Sequence, residues 1–465
     1  MAWDLLLFEA MHAPIQTLEQ FKEESKAGRL AGSTQLRLSC NLKDFPTEIF
    51  DLADTLEILD LSGNALSSLP DRLPELHKLK ILFCSDNQFT ELPRVLGQCK
   101  ALSMVGFRNN NIRHVLTEAL PPLLRWLILT GNQLTELPLE LGDRPHLQKL
   151  MVAGNRLQTL PEALGNCKSL ELIRIAANRF EALPSVLLKL PRLSWLSYSG
   201  NPFCSMDEQT ALQDTPVKPI PWSSLGLHQK LGEGASGVIY HASWQANKTI
   251  PVAVKVFKGG LTSDGLPMSE MSACMRVGSH LNLIPVLGKI EGHPENANGL
   301  VMSLVDASYR NLAGPPSFAS CTRDVYADDM RLSLFEVLSI ATGIASVAQQ
   351  VHAKGIMHGD LYAHNILLGR DGHALLGDFG AACFKPTDAA QRLALEKIEV
   401  RAFGYLLEEL LERCKGEASN FATLNNLRAL RDACLNTDST QRPVFTEVVA
   451  SVQTAWSFSC KMSNI

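Results

Sequence analysis

Apolar residues recur along this chain in two different rhythms. From residue 33 to about 204 they keep a fixed frame closed by asparagine: LEILDLSGNALSSLP around Asn64, LRWLILTGNQLTELP around Asn132, HLQKLMVAGNRLQTLP around Asn155. Asparagines stand at 41, 64, 87, 110, 132, 155, 178 and 201, in steps of 23 residues with a single step of 22. Two alternating leucines predict a short strand with one buried face. The asparagine side chain is expected to bond the backbone where each coil turns. One such unit can bury its apolar face only against its neighbours, so the pattern predicts a solenoid of about eight units, the first degenerate. Residues 1–32 are expected to cap its open end, with MAWDLLLFEAMH as a helix. Residues 205–222, SMDEQTALQDTPVKPIPW, lose the rhythm, and Pro216, Pro219 and Pro221 predict a semi-extended linker. Beyond it, VIYHASW and PVAVKVF read as paired strands. EMSACMRVGSHL, LSLFEVLSIATGIASVAQQVHAKG and YLLEELLERC read as helices, with residues 306–331 an irregular insertion between them.

The repeating unit matches L-x-x-L-x-L-x-x-N-x-L and resembles a leucine-rich repeat. Its inner strand positions, six and four residues before each asparagine, are usually solvated and polar. Here they include Phe83, Met104, Trp126, Ile128 and Met151, expected to form one exposed apolar strip on the concave face. Such a strip would bind a protein partner or dock on the rest of the chain. Cys99 and Cys167 fill the same slot of two repeats and are expected to be small buried residues.

The candidate chemistry lies in GIMHGDLYAHNILLGRDGHALLGDFG, residues 355–380. Asp360 precedes Asn365 by five residues, and Asp378-Phe379-Gly380 follows. Phosphoryl transfer needs a carboxylate to orient a hydroxyl and an Asn/Asp pair to hold magnesium on ATP. Upstream, LGEGASGVIY carries Gly232, Gly234 and Gly237, which by themselves would also suit a dinucleotide-binding turn. A strand with Lys255 arrives 18 residues after Gly237, where a dinucleotide fold would have a helix.

This ordered set resembles the protein kinase family over about residues 225–455, ending on Arg442-Pro443. The resemblance implies an α+β bilobal domain over 223–460, following the α/β solenoid of 33–204. It implies ATP under Leu231, Gly232, Gly234, Gly237 and Ile239, with Lys255 on its phosphates and Glu270 aiming Lys255. Met302 would gate the adenine pocket. Asn365 and Asp378 would hold Mg, and Asp360 would be the catalytic carboxylate for a Ser or Thr hydroxyl. The whole resembles cytosolic leucine-rich-repeat kinases of bacterial or plant type without a membrane span.

Three departures leave alternatives open. Gly359 stands where most protein kinases have arginine, which argues against activation through a phosphorylated loop. Tyr362 stands where serine/threonine kinases place lysine, and His364 where tyrosine kinases often carry arginine. Only 18 residues separate Gly380 from Glu399, and Ala394-Leu395-Glu396 is the nearest echo of A-P-E. A catalytically weak or dead scaffold that binds ATP and a small-molecule kinase are the competing readings.

Net charge is −5 and the pI about 6.2, which supplies no bulk basicity for nucleic acid or anionic lipid. Eleven cysteines without a C-x-x-C pair suit free thiols in a reducing compartment. No uninterrupted run of about 18 apolar residues stands out. A cytoplasmic protein is expected.

Overall fold

A computed structural model describes residues 15, 17–206, 208, 210, 217–234, 236–262, 264–415 and 421–462. The whole of the expected cap helix MAWDLLLFEAMH, residues 1–12, lies outside them. The chain divides into two compact units, one ending at Leu190 and one beginning at Pro191.

The first unit opens with α1 (Leu18–Lys26), whose first turn is capped by Thr17 Oγ1 accepting from Gln20 N at 3.1 Å. Parallel three-residue strands follow: β1 (Gln35–Arg37), β2 (Ile58–Asp60), β3 (Ile81–Phe83), β4 (Met104–Gly106), β5 (Trp126–Ile128), β6 (Lys149–Met151) and β7 (Leu172–Arg174). Their register is the sequence period itself: Ile58 lies opposite Ile81, and Met104 opposite Trp126 where the step shortens to 22. Short 3-10 turns return the chain along the outer side.

Asparagine makes the coil repeat. Asn155 Oδ1 accepts from Leu134 N at 3.0 Å, and its Nδ2 donates to Leu129 O at 2.9 Å and Val152 O at 3.0 Å. Asn64, Asn87, Asn110, Asn132 and Asn178 do the same work one coil apart. Asn41 instead is exposed with φ 54°, as its degenerate unit foretold. Asn155→Ala strips Leu134 N of its acceptor and takes one of two side-chain donors from each of the Leu129 and Val152 carbonyls, and should cost about 2 kcal/mol. A urea midpoint unchanged within about 0.5 kcal/mol would show that the ladder does not hold the coils together.

The strip expected to be exposed is buried. Phe83, Met104, Trp126, Ile128 and Met151 are each 8% exposed or less. Gly106 leaves space into which neighbours lean: a Cβ there would stand 2.5 Å from the Phe83 ring and 3.7 Å from Ile128. The Lys149 ammonium sits 4.3 Å over the Trp126 ring.

The second unit takes the last repeat with it, as β8 (Trp195–Ser197) and the 3-10 turn Pro202–Cys204. Its main sheet runs β10 (Leu225–Glu233), β11 (Gly237–Gln245), β12 (Thr249–Phe257), β14 (Gly299–Ser303), β13 (Val286–Glu291), β9 (Pro219–Pro221). All neighbours are antiparallel except β9 against β13. Part of the expected spacer is therefore an edge strand: Ile220 is fully buried between two prolines, which an edge tolerates because it needs no donor there. Residues 207, 209 and 211–216 of the linker lie outside the described residues. Helix α2 (Pro267–Val277) packs Met271 and Met275 on Phe257 and Leu300.

The helical part comprises α3 (Leu334–Ala353), α4 (Ala389–Glu412), α5 (Phe421–Cys434) and α6 (Phe445–Met462). A capping box of Ser333 and Glu336 starts α3. Helix α3 is long and apolar enough to cross a membrane, but Val337, Ile340, Ala341, Ile344 and Val347 are fully buried, as in a core helix. Small strands β15 (Arg310–Asn311), β17 (Ile366–Leu368) and β18 (Ala374–Leu376) form one sheet, and β16 (Ile356–Met357) pairs with β19 (Cys383–Phe384).

Candidate active site

The glycine-rich turn joins two long antiparallel strands, not a strand to a helix. Gly234 N donates to Gly237 O at 2.9 Å across it. Gly237 is obligatory for space: a Cβ there would stand 2.5 Å from the Val256 carbonyl oxygen. Residue 235 lies outside the described residues. Opposite Ile239 in the ladder stands Lys255, whose ammonium ion-pairs with Glu270 from the first turn and a half of α2. Both are largely buried, the lysine side chain 13% and the glutamate 3% exposed.

Two loops complete the site from the helical side. Residues 358–365 lead into β17, and Asp378 follows β18 with φ 49°. A left-handed aspartate is uncommon and marks a held conformation. Its Oδ1 accepts from Gly380 N at 3.1 Å. These parts enclose a cavity of about 390 Å³ lined by Leu231, Gly232, Gly234, Gly237, Ile239, Lys255, Glu270, Met302, Asn365 and Asp378. Of the sequence-predicted site residues only Asp360 does not line it. Asp360 is 5% exposed and tied to Asn365, whose Nδ2 donates to its backbone oxygen and Oδ2 at 2.9 Å each.

Residues 225–402 match the family model described as protein tyrosine and serine/threonine kinase, and residues 55–76 that of the leucine-rich repeat. The chain therefore joins leucine-rich repeats to a protein kinase domain. Similar proteins include fibroblast growth factor receptor 1 of Xenopus laevis, 28% identical over 202 residues, covering 40% of this chain and 24% of the receptor. Tyrosine-protein kinase Src64B of Drosophila melanogaster is 28% identical over 165 residues, 35% of this chain and 27% of that kinase. A serine/threonine-protein kinase of Candida albicans is 25% identical over 185 residues, 36% of this chain and 25% of that protein. The chain thus spans about a quarter of the length of these relatives.

In the kinase domain the loop bearing Asp360 hangs on Glu399 of α4. Its carboxylate accepts from His358 N at 3.0 Å and Gly359 N at 2.6 Å. Burial pushes the Glu399 carboxyl up, yet the His352 hydrogen bond and the neighbouring histidines more than offset this and hold it below the usual range. His352 Nε2 donates to it at 2.6 Å, and His352 Nδ1 accepts from Lys385 at 2.8 Å. Burial carries the Lys385 ammonium down to about 8 despite Glu396 beside it. The position of Glu399 was readable in the sequence. His352 and Lys385 were not, because nothing local marks two residues that meet only through tertiary packing.

His364, beside Asn365, lines the same cavity. Asp324, from the irregular insertion, accepts from His364 N at 2.9 Å and His364 Nδ1 at 2.7 Å. The carboxylate thereby sets the ring's tautomer and direction. Forty residues separate the two, so no motif spacing could have announced the pair.

The donor set suits a hard divalent cation on ATP. Asn365 Oδ1 is buried and takes no hydrogen bond among the described residues, which leaves a bare amide oxygen beside the Asp378 carboxylate. Few protein oxygens are what Mg²⁺ takes when phosphates and water supply the rest. Among the described residues no group of three or more His, Cys, Asp or Glu could hold a metal by itself.

Proposed function

We propose that the chain transfers the γ-phosphoryl group of ATP to hydroxyl groups of proteins, serine or threonine in the first reading. One observation carries this: Lys255, already paired with Glu270, shares a cavity with Asn365 and Asp378. Lys255 would neutralise phosphate oxygens under the glycine turn. Asn365 and Asp378 would hold magnesium, which when bound offsets charge on the phosphates. Asp360, fixed by Asn365, would orient the acceptor hydroxyl and take its proton. Positioning and charge neutralisation would supply most of the rate.

A tyrosine acceptor is the second reading. It is favoured by the recess of Asp360, 5% exposed, into which a longer side chain reaches further. One of the relatives above, Src64B, is also a tyrosine-protein kinase by name.

For the repeats we propose regulation of the kinase domain. Capture of a protein partner through the strip of Phe83, Trp126 and Met151 fits their burial less well. A reducing, cytoplasmic setting agrees with burial pushing the Cys274 and Cys383 thiols up to about 12, so that both stay protonated.

The test is magnesium-dependent transfer of labelled γ-phosphate to the protein itself and to a generic protein substrate, beside Asp360→Asn. Label that disappears in the variant is the expected result, and phosphoamino-acid analysis then separates Ser/Thr from Tyr. Label that persists in Asp360→Asn, or that goes only to a small-molecule acceptor, sinks the proposal.

A further inference from the structure

The connection from Gly380 to α4 is eight residues, 381–388, two of which form β19. Against it packs the last repeat. We propose that residues 191–204 do the bracing that so short a connection cannot, holding the catalytic loop in working shape, with Trp195 as the positioning residue. This rests on the phosphoryl-transfer reading above.

Trp195 grips the loop directly after Asp360. Its ring stacks on Tyr362 with centroids 4.1 Å apart and planes within 6°, and its Nε1 donates to Leu361 O at 3.1 Å. Tyr405 of α4 stacks on the same indole at 5.6 Å. On the other side of Asp360, the Leu196 carbonyl lies over Gly359, so close that a Cβ there would stand 2.6 Å away. Both neighbours of the carboxylate are thus held by two consecutive residues of one strand.

The same segment reaches two further parts of the site. Ser197 Oγ donates to Asp264 O, in the loop that leads into α2 and its Glu270. Tyr198 N donates to Cys383 Sγ at 3.0 Å, and its hydroxyl to Phe384 O at 3.1 Å, both on β19. Arg442 anchors the segment's start by donating to Pro191 O at 2.6 Å.

A removable plug would be built differently. Trp195 is 1% exposed and Tyr198 fully buried, so release would put two large aromatic side chains into water. The contacts are also largely to backbone oxygens of the kinase domain, the pattern of a permanent part.

Trp195→Phe and Trp195→Ala in the full chain test the brace by two readouts. Phenylalanine keeps the stack and loses the donor to Leu361. Its kcat should fall about fivefold, the worth of one hydrogen bond. Alanine loses both, and kcat should fall by at least about thirtyfold. The ATP dissociation constant should stay within about twofold in each, because Trp195 does not line the nucleotide cavity. Amide exchange over 359–365 should speed up in both variants while α3 stays protected.

An unchanged kcat, or one that rises as a plug would require, overturns the proposal. So does a loss matched by a loss of ATP affinity. Should the alanine variant fail to fold, the phenylalanine variant decides by the same readouts. Should wild type transfer no phosphate, the phosphoryl-transfer reading fails, and the exchange of 359–365 still decides whether Trp195 holds the loop.

Discussion

Asp378→Asn should lower phosphoryl transfer by at least about a thousandfold while the protein keeps its fold. The carboxylate lines the nucleotide cavity beside the bare amide oxygen of Asn365. Its Oδ1 accepts from Gly380 N at 3.1 Å, a bond that an asparagine oxygen can still accept. The stability change should therefore stay within about 1 kcal/mol, whereas the charge that would face a divalent metal and phosphate disappears. Lys255→Met is a less clean removal. It leaves Glu270, 3% exposed, without its counter-ion, and breaking a buried pair typically costs about 3–5 kcal/mol. Transfer by both variants at more than about a tenth of the wild-type rate, with folding intact by circular dichroism, would place the chemistry elsewhere.

Gly359→Arg, which restores the residue most protein kinases carry, should destabilise this one by about 3–5 kcal/mol. Two effects add. Gly359 has φ 76°, a left-handed conformation that costs an ordinary residue about 1 kcal/mol or more. Any Cβ would also meet the carbonyl oxygens of Leu196 and Ala381 at 2.6 Å each. Both are backbone atoms within packed strands or turns, so neither yields as a side chain would. Gly359→Ala should therefore carry most of the loss, and the arginine little more. Urea or thermal midpoints check this: an arginine variant within about 1 kcal/mol of wild type would mean that β8 does not lie over the loop.

The departure at Gly359 thus has a local cause. In the sequence it read as a missing arginine and argued against one route of activation. In the structure a glycine is needed there because another strand occupies the space. Tyr362 is likewise the platform for Trp195 rather than an isolated substitution for lysine.

How much could be read beforehand follows from the range of each interaction. The asparagine ladder was legible because each coil meets its neighbour at a constant offset, so a contact in space is a period in sequence. The glycine turn, Lys255 and the loop from Asp360 to Asp378 were legible because each sits at a fixed step along one hairpin or loop. The apolar strip expected to be exposed is buried in the structure. Strand position decides which face a side chain is on, but Gly106 and its neighbours decide how far Phe83 and Ile128 lean over that face. The linker reading missed β9 because proline in an extended segment looks the same whether it spans a gap or edges a sheet.

By itself the sequence determined the repeat architecture, the order of the two regions, and the set of residues around the nucleotide cavity. These depend on local geometry, which the spacing of residues encodes directly. Tertiary structure alone decided that Asp324 orients His364, that Lys385 and His352 stand behind Glu399, and that the last repeat packs with the kinase domain through Trp195 and Tyr198. Those contacts join residues 33 to 186 positions apart. They arise from the shapes of surfaces that exist only once each region has folded.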